Sequence, residues 1–294
     1  MFGCFYVVFL FVCVMYYFIC RFFCIGIYYM YKLSYKFQEP DARDFKLKTE
    51  SHPENSKLQV MAATVKNGTT LFKAVAVPPP TFTVSPLPPI LNQGDIGSCV
   101  ANSFAYNVSK QSKSGVNLSR LFLYAVSRSI DNTPLNQDDG TTIRTTCQAI
   151  SNYGVCQETV YPYVPAGFFT LPSLAAFNGS KKLNKFTYLF VSQDLASIKN
   201  ALQTYNTPVI LGINVYSSFM NSVNGIIPVP NMKTETCLGG HCITMVGYND
   251  TTQMFTFANS WGTAWGAKGY CYIPYSYILN PQLASDFCVS TFIF

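Results

Sequence analysis

The first 31 residues form the most apolar stretch of the chain. Residues 1–20 carry no charged side chain, Arg21 interrupts the run, and FFCIGIYYMY continues it to residue 31. At about 1.5 Å per residue, twenty helical residues span roughly 30 Å, the thickness of a bilayer core. The pattern therefore predicts a transmembrane anchor over residues 1–31 that contacts the lipid bilayer. A secretory signal peptide is the alternative, but a basic n-region and an A-x-A-like cleavage site are missing.

The charges around this predicted anchor bear on its orientation. The basic residues near it lie within or after the apolar run, and only the α-amino group precedes it. By the positive-inside rule, the remainder of this single-pass membrane protein then stays in the cytosol. Five Asn-x-Ser/Thr sequons favour the opposite side. However, about three would arise by chance at this composition, so we expect the cytosolic side.

Residues 32–80 are polar, mixed in charge and weakly periodic, and residues 78–89 hold six prolines. A proline-rich stretch is extended and semi-rigid, and a polar stretch without a clear period does not form a core element. Residues 32–89 are therefore predicted to be a linker, or a short pro-segment, in front of a folded domain.

From residue 90 onward the pattern is that of a compact domain. Apolar positions after Cys99 recur at the spacing of one helical face. Three more helices are predicted over residues 118–129, 142–153 and 194–205, the last with Asp194 as its cap. Strands are predicted over residues 208–216, 242–248, 254–258 and 269–273. Helices come first and strands later, which indicates an α+β domain with two lobes, divided near residue 190.

Composition and charge exclude several classes of protein. Apolar residues make up 49% of the chain and charged residues 12%, which excludes a wholly disordered chain. Up to residue 80, nine basic residues stand against five acidic ones, a net of +4 out of the total of +6. The nearly neutral domain that follows has no basic stripe, so no nucleic-acid partner is predicted.

Cysteine and histidine usage limits the chemistry that the domain can carry. Of eleven cysteines, four lie in the first 24 residues, and the other seven contain no C-x-x-C pair. Only two histidines are present, so a zinc site of the usual spacing is not expected. His52 lies in the polar stretch, which leaves His241 as the candidate for acid–base work. A structural histidine is the alternative reading of His241.

Cys99 is the candidate nucleophile. Two glycines and a serine precede it in NQGDIGSC, and the helical period begins at or just after it. The sulfur is then expected at a helix N-terminus, where free N–H groups and the helix dipole stabilise a thiolate. A nearby imidazolium would lower the pKa of the thiol further and create the attacking ion pair. A buried, inert thiol is the alternative.

Asn259 is the third candidate site residue, and it lies in the motif FANSWGTAWGAKGY. An Asn at the end of an apolar strand can hold an imidazole in one tautomer through its side-chain carbonyl. Trp261, two residues later, can shield that bond from water. The alternative is a tight Asn-Ser-Trp-Gly turn between strands.

The motifs around Cys99, His241 and Asn259, taken in this order, resemble those of the papain-like cysteine peptidases, and the resemblance covers about residues 90–294. That resemblance implies a helical lobe over about residues 90–190 and a β-barrel-like lobe over about residues 191–294. It assigns Cys99 as nucleophile, His241 as base and Asn259 as the residue that orients the imidazole. Gln93, six residues before Cys99, matches the family position whose side chain forms the oxyanion hole with the Cys amide.

The resemblance includes further motifs, but some residues typical of the family are replaced. The W-G-x-x-G-Y run lies at residues 265–270 and a Y-P-Y segment at residues 161–163, and Trp261 and Gly140 match substrate-binding positions. Ile96 replaces a disulfide-forming Cys of secreted members, Val100 replaces the usual Trp, and no long helical pro-segment is recognisable. The motif Q-G-x-x-G-S-C-x-A-N is more similar to the microbial and large-DNA-virus branch than to lysosomal cathepsins. The resemblance also implies that Cys237 and Cys288 can pair in an oxidising compartment.

The activity implied by this resemblance is that of a cysteine endopeptidase. It would hydrolyse a polypeptide substrate through a thioester acyl-enzyme, with no metal or organic cofactor. Two alternatives remain at this point. One is a papain-fold acyltransferase or amidase that uses the same Cys–His pair, and the other is a non-catalytic, membrane-tethered interaction module. Because all four residues of the catalytic set are present, the sequence favours an enzyme.

Overall fold

The computed structural model describes residues 31–41, 44, 46–51, 58–64, 70–112 and 116–293. The predicted anchor over residues 1–31 therefore lies outside the described residues, apart from Tyr31. Among the helices that are described, none is both long and apolar enough to cross a bilayer.

The predicted helices are confirmed to within two residues at each end. The main helices of the described chain are α1 (Cys99–Gln111), α2 (Arg120–Ile130), α3 (Ile143–Tyr153), the short α4 (Leu174–Asn178) and α5 (Leu195–Tyr205). Three of these helices are capped, because the side chains of Ser119, Thr142 and Asp194 accept backbone N–H groups of the first turn. The cap predicted at Asp194 is therefore confirmed. Gly154 ends α3 with φ +71°, a conformation that favours glycine. Two four-residue helices complete the set, α6 (Ser217–Met220) and α7 (Tyr275–Ile278).

The strands of the described residues form one mixed sheet. They are β1 (Lys46–Ser51), β2 (Leu58–Thr64), β3 (Thr70–Ala76), β4 (Thr81–Thr83), β5 (Asn184–Val191), β6 (Val209–Tyr216), β7 (Cys237–Asn249), β8 (Met254–Ala258), β9 (Tyr270–Pro274) and β10 (Ala284–Ile293). The order is β3-β2-β1-β5-β10-β6-β7-β8-β9, with β4 paired to β7. Neighbours are antiparallel except for β1 and β5, which are parallel.

The stretch expected to be a linker contributes four strands to this sheet, β1 to β3 and the short β4. β1 joins the sheet beside β5, where Leu47 pairs with Val191 and is fully buried. β2 and β3 continue the sheet outward from β1. The sequence did not predict them because residues 46–76 are rich in Lys and Thr and lack the apolar run that marks the central strands.

Two apolar clusters support the two lobes. The helical lobe packs around Phe104, Phe122 and Leu123, and the β lobe packs around Phe255 and Phe257, all of which are fully buried. The start of α1 packs against β7, so the junction of the two lobes brings Cys99 beside the strand that carries His241.

The pairing of Cys237 with Cys288 is wrong for this structure. Cys237 lies opposite Tyr216 at one end of β6, whereas Cys288 lies opposite Ile210 near the other end. Six residues along a strand correspond to about 20 Å, but a disulfide requires Cα atoms within about 7 Å. The thiol that contacts Cys288 belongs to Cys147, whose pKa is raised by burial and then by this neighbour.

Candidate active site

His241 and Asn259 meet through neighbouring strands. His241 lies within β7, which begins five residues earlier than predicted, and Asn259 directly follows β8, the antiparallel neighbour. Nε2 of His241 lies 2.8 Å from Oδ1 of Asn259. Because a carbonyl oxygen only accepts, Nε2 must carry the proton in this contact, and Nδ1 is left with the free lone pair. Within the described part of the chain, Nδ1 has no hydrogen-bond partner.

Aromatic rings cover this pair. Trp261 stacks on His241 with ring centroids 4.7 Å apart, and only 1% of Trp261 is exposed. Trp265 meets Trp261 edge to face at 5.0 Å, and Phe219 packs against both indoles at 5.8 Å. The bond between His241 and Asn259 is therefore enclosed in apolar surroundings, and Trp261 lies where it can shield that bond from water.

Cys99 is the first residue of α1, and its side chain is fully buried. The thiol lies against backbone N–H groups of Val100 and of Cys242, the residue that follows His241. These N–H groups favour the thiolate, as expected at a helix N-terminus. The helix start and strand β7 thus bring the candidate nucleophile to the residue that follows the candidate base.

The turn before Cys99 is held by side chains from the helical lobe. The N–H of Gly97 donates to Oδ1 of Asp138 at 2.9 Å, and the Tyr124 hydroxyl donates to the same carboxylate oxygen. The Ser98 hydroxyl lies 2.5 Å from the hydroxyl of Tyr163, which belongs to the Y-P-Y segment. Asp138 was not identified from the sequence, because it lies 41 residues from its partner and in a loop without a recognised motif.

Gln93 links the turn to the Asn259 loop. Its Oε1 accepts a hydrogen bond from Ser260 at 2.6 Å, which directs the amide nitrogen to the other side. Nε2 then donates to the carbonyl oxygens of Ile96 and Lys32, both at 3.1 Å. A donor in this position can stabilise an oxyanion at the thiol once the Lys32 carbonyl has left.

The charge state of the Cys–His pair follows from burial. Burial raises the pKa of the Cys99 thiol to about 12, against the opposing N–H groups, and Asp138 adds to the increase. Burial also lowers the pKa of His241 to about 4, although the bond to Asn259 opposes this shift. Near neutral pH the pair is therefore a thiol and a neutral imidazole in this structure, not the ion pair expected from the sequence.

The pair is buried because residues 31–38 lie across it. The Tyr31 ring stacks on Trp261 with centroids 4.5 Å apart, and the Lys32 carbonyl accepts the hydrogen bond from Gln93. Further along, Tyr35 donates its N–H to the carbonyl of Gly240 at 2.9 Å. We call residues 31–38 the covering segment, and the groove that they occupy the cleft.

The cleft floor is made of glycines in close contact with the covering segment. A Cβ atom at Gly97 would lie 2.0 Å from Oγ of Ser34, and one at Gly140 would lie 1.5 Å from the Ser34 carbonyl oxygen. Gly140 also has φ +73°, which favours glycine. The predicted substrate-binding residues Gly140 and Trp261 thus both line the cleft. Gly140 contacts Ser34 of the covering segment, and Trp261 contacts Tyr31.

The four predicted catalytic residues therefore converge on one cleft, and none lies elsewhere. Among the residues that the structure describes, no group of three or more His, Cys, Asp or Glu side chains is arranged to hold a metal ion.

Comparison with known proteins gives a family match. Residues 82–287 match the family described as papain family cysteine protease. The chain is 34% identical over 215 residues to a peptidase C1-like protein of Acanthamoeba polyphaga mimivirus, covering 68% of each chain. It is 29% identical to gamete and mating-type specific protein A of Dictyostelium discoideum, over 67% of this chain and 42% of that protein. Mouse pro-cathepsin H is 25% identical over 62% of this chain and 55% of its own length, so the chain spans about half of these last two proteins.

Solved structures show the same fold. Xylellain, a cysteine protease from Xylella fastidiosa, is 30% identical with a TM-score of 0.74, over 89% of this chain and 96% of that one. A Carica candamarcensis cysteine protease, solved in complex with E-64, is 21% identical with a TM-score of 0.55, over 74% of this chain and all of that one. The second likeness concerns the fold alone.

Proposed function

Because the chain belongs to the papain family of cysteine proteases, we propose that it hydrolyses internal peptide bonds through Cys99 and His241. The observation that carries the proposal is the hydrogen bond from Nε2 of His241 to Asn259. It leaves Nδ1 as the basic atom of the imidazole, on a strand whose next residue contacts the Cys99 thiol. That is the arrangement which a thiol nucleophile requires of its base.

The mechanism follows from the positions of these groups. Nδ1 of His241 accepts the Cys99 proton, and the sulfur attacks the scissile carbonyl carbon. The carbonyl oxygen becomes an oxyanion, stabilised by Nε2 of Gln93 and the Cys99 amide. The imidazolium then protonates the leaving amine, and water, deprotonated by the same imidazole, hydrolyses the thioester. Asn259 keeps the ring in its tautomer and touches no reacting atom.

This proposal requires the covering segment to leave the cleft. With the segment in place, Cys99 and His241 are both 0% exposed. The Lys32 carbonyl also accepts a hydrogen bond from Nε2 of Gln93, the proposed oxyanion donor. A polypeptide substrate would use the same groove, because its extended main chain needs the glycine floor that accommodates Ser34. The chain would therefore be latent until residues 31–38 are displaced.

Attachment to a membrane is the second part of the proposal. The apolar run over residues 1–31 would hold the protein as a single-pass membrane protein, with the peptidase domain on the cytosolic side. Tyr31, the last residue of that run, stacks on Trp261. The anchor would then lead directly into the covering segment.

The test is covalent labelling of the full-length chain with an epoxide peptide probe, followed by mapping of the modified residue. Cys99→Ala and His241→Ala should abolish labelling and peptide hydrolysis. Cys237→Ala and His52→Ala are the matched controls, since they replace an exposed cysteine and the other histidine of the chain. Tyr35→Ala, which empties part of the cleft, should label faster than the unaltered chain. A folded Tyr35→Ala chain that neither labels nor hydrolyses any peptide would instead favour a non-catalytic module.

A further inference from the structure

The loop that follows α6 presents apolar side chains to solvent. Residues 221–232, NSVNGIIPVPNM, contain no charged side chain. Four of them are between 41% and 72% exposed, namely Val223, Ile226, Val229 and Met232. Single exposed apolar side chains are common on soluble proteins, but several within ten residues of one uncharged loop indicate a contact surface. We call residues 221–232 the apolar loop.

The apolar loop has a defined shape, because it is hydrogen-bonded to β9. The N–H of Ile227 donates to the Tyr272 carbonyl at 2.9 Å, and the N–H of Tyr272 donates to the Gly225 carbonyl at 2.8 Å. Successive side chains of an extended stretch point to opposite sides. Ile227 is fully buried, and Ile226 is accordingly directed outward. The exposed side chains therefore belong to an ordered part of the β lobe.

Basic side chains lie on both sides of the apolar loop. Lys233 directly follows it, and Lys268 belongs to the turn that packs against it at Gly225, and both lysines are exposed. The acidic residue nearest in sequence is Glu235, whose carboxylate accepts two backbone N–H groups at 2.9 and 2.8 Å. An apolar surface flanked by lysines fits the interface of a bilayer that contains anionic lipids.

The apolar loop also lies where the predicted anchor ends. Tyr31, the last residue of the apolar run, stacks on Trp261 at 4.5 Å, and Phe219 of α6 packs against Trp261 at 5.8 Å. The apolar loop begins two residues after Phe219. Even if residues 1–20 alone span the bilayer, the chain from there to Tyr31 reaches at most about 40 Å. An inserted anchor therefore keeps this side of the domain close to the membrane.

We propose that the apolar loop docks on the bilayer that holds the predicted anchor, with its exposed apolar side chains in the interfacial region and Lys233 and Lys268 at anionic headgroups. This inference rests on the membrane attachment of the proposed function and adds the surface that orients the domain. Two points of contact restrict rotation about the anchor. The end of the cleft that Tyr31 occupies then lies at the membrane surface.

A small surface is sufficient because the anchor supplies most of the attachment. One apolar loop with two lysines binds a bilayer only weakly by itself. The anchor converts this binding into an intramolecular step, with an effective concentration of about millimolar or higher. The contact is therefore expected in the full-length, membrane-inserted chain.

The experiment is photo-crosslinking of the full-length chain in vesicles of phosphatidylcholine with about 30% phosphatidylserine. A benzophenone amino acid replaces one residue at a time, and mass spectrometry identifies the adduct. Ile226 tests the apolar loop, and Phe9 reports insertion of the predicted anchor. Leu174, in α4 of the helical lobe, is the matched control, because it is 76% exposed and equally apolar. We expect lipid adducts at Ile226 to exceed those at Leu174 by about 10-fold or more.

A pair of substitutions tests the chemistry of the contact. Val223→Glu together with Val229→Glu should lower the lipid adduct at Ile226 by about 10-fold, because carboxylates disfavour the interface of an anionic bilayer. Val223→Leu together with Val229→Leu should leave it unaltered. The replaced side chains are exposed, so thermal melts of both double variants should match that of the unaltered chain.

The outcomes separate this inference from the proposed membrane attachment. Lipid adducts at Phe9 but not at Ile226 would overturn the docking surface and leave the anchor intact. Adducts of Ile226 with a second copy of the chain, or equal lipid adducts at Ile226 and Leu174, would also overturn it. Absence of lipid adducts at Phe9 would overturn the attachment and the inference with it, whereas the peptidase proposal depends on neither.

Discussion

At the scale of single residues, Gln93 shows how the site is held together across the lobes. Its backbone N–H donates to the Ser260 carbonyl at 2.8 Å, and its side-chain oxygen accepts the Ser260 hydroxyl at 2.6 Å. Ser260 also donates its N–H to the side-chain Oδ1 of Asn259 at 2.8 Å. The residue that presents the oxyanion donor and the residue that orients His241 are therefore connected through one serine.

Replacement of Gln93 should separate catalysis from thiol reactivity. In the Tyr35→Ala chain, we expect Gln93→Ala to lower kcat by about 100-fold, because one preorganised oxyanion donor is lost. KM and the rate of Cys99 alkylation by iodoacetamide should change little, since neither depends on that donor. Steady-state kinetics and mass-spectrometric labelling measure the two effects.

The control for this change is Gln157→Ala, an exposed glutamine in the loop after α3, which should leave kcat unaltered. Thermal melts of both variants detect any loss of folding, because Ser260 loses its buried acceptor in Gln93→Ala. An equal loss of labelling and kcat would show that Gln93 only supports the structure of the site.

The candidate catalytic residues can be proposed from the sequence, whereas the residues that surround them cannot. Cys99, His241 and Asn259 stand in motifs whose chemistry depends on residue type and local context, so the sequence alone singles them out as candidates. Asp286 has no such signal, because its partner Tyr35 lies 251 residues away and their contact depends on the bulge in β10. Long-range contacts of this kind follow from the packing of the whole sheet.

At the scale of elements, the covering segment has no regular secondary structure of its own. It is held by side chains and by close approach of its backbone to glycines, such as Ser34 against Gly140. An element that is held in this way is sensitive to the addition of a single Cβ atom on the facing surface.

Gly140→Ala should displace the covering segment without unfolding the domain. The new Cβ atom would lie 1.5 Å from the Ser34 carbonyl oxygen, so the segment must move. We expect iodoacetamide to label Cys99 at least about 10-fold faster, although peptide hydrolysis stays low because substrates need the same floor. Gly167→Ala is the matched control, as its Cβ would meet only Leu121 at 3.9 Å.

The result that would contradict this prediction is unaltered labelling in a folded Gly140→Ala chain, because the segment would then not depend on that floor. A lower melting temperature alone is expected, since alanine at φ +73° costs roughly 1–2 kcal/mol.

The elements that the sequence predicted are those with a clear period or a continuous apolar run. α1, α3 and β6 belong to this group. β7 begins before the predicted strand, because residues 237–241 (CLGGH) also pair with β6. These residues contain no apolar run, so the pattern did not predict them. β1 to β4 lie in the stretch predicted to be a linker, since short or polar strands are specified by their neighbours more than by their own pattern.

At the scale of the whole molecule, we expect closure of the cleft to be coupled to the protonation of His241. In the closed structure the pKa of His241 is lowered to about 4 by burial, whereas an exposed histidine titrates near about 6.5. Between these values an open state binds a proton that the closed state does not bind. The closed state therefore loses stability relative to the open state as the pH falls from about 6.5 to about 4, and above that range the contribution vanishes.

Other groups modify this dependence in known directions. The raised pKa of Asp286 means that the closed state binds its proton more tightly, which opposes opening in acid. The Cys99 thiol does not titrate in this range, because its pKa is about 12 in the closed state. Asp286→Asn removes the opposing titration and should move opening to a higher pH.

Acid should therefore open the cleft before the protein unfolds, and tryptophan fluorescence can follow the change. The chain contains two tryptophans, Trp261 and Trp265, and both lie at the site, with Tyr31 stacked on Trp261. We expect their emission to shift to longer wavelength between pH 6.5 and 4, with the open fraction rising by up to about 50-fold. In His241→Gln the shift should disappear, because glutamine does not titrate. A shift that persists in this variant, or that coincides with loss of the far-ultraviolet circular dichroism signal, would show that His241 does not control the covering segment.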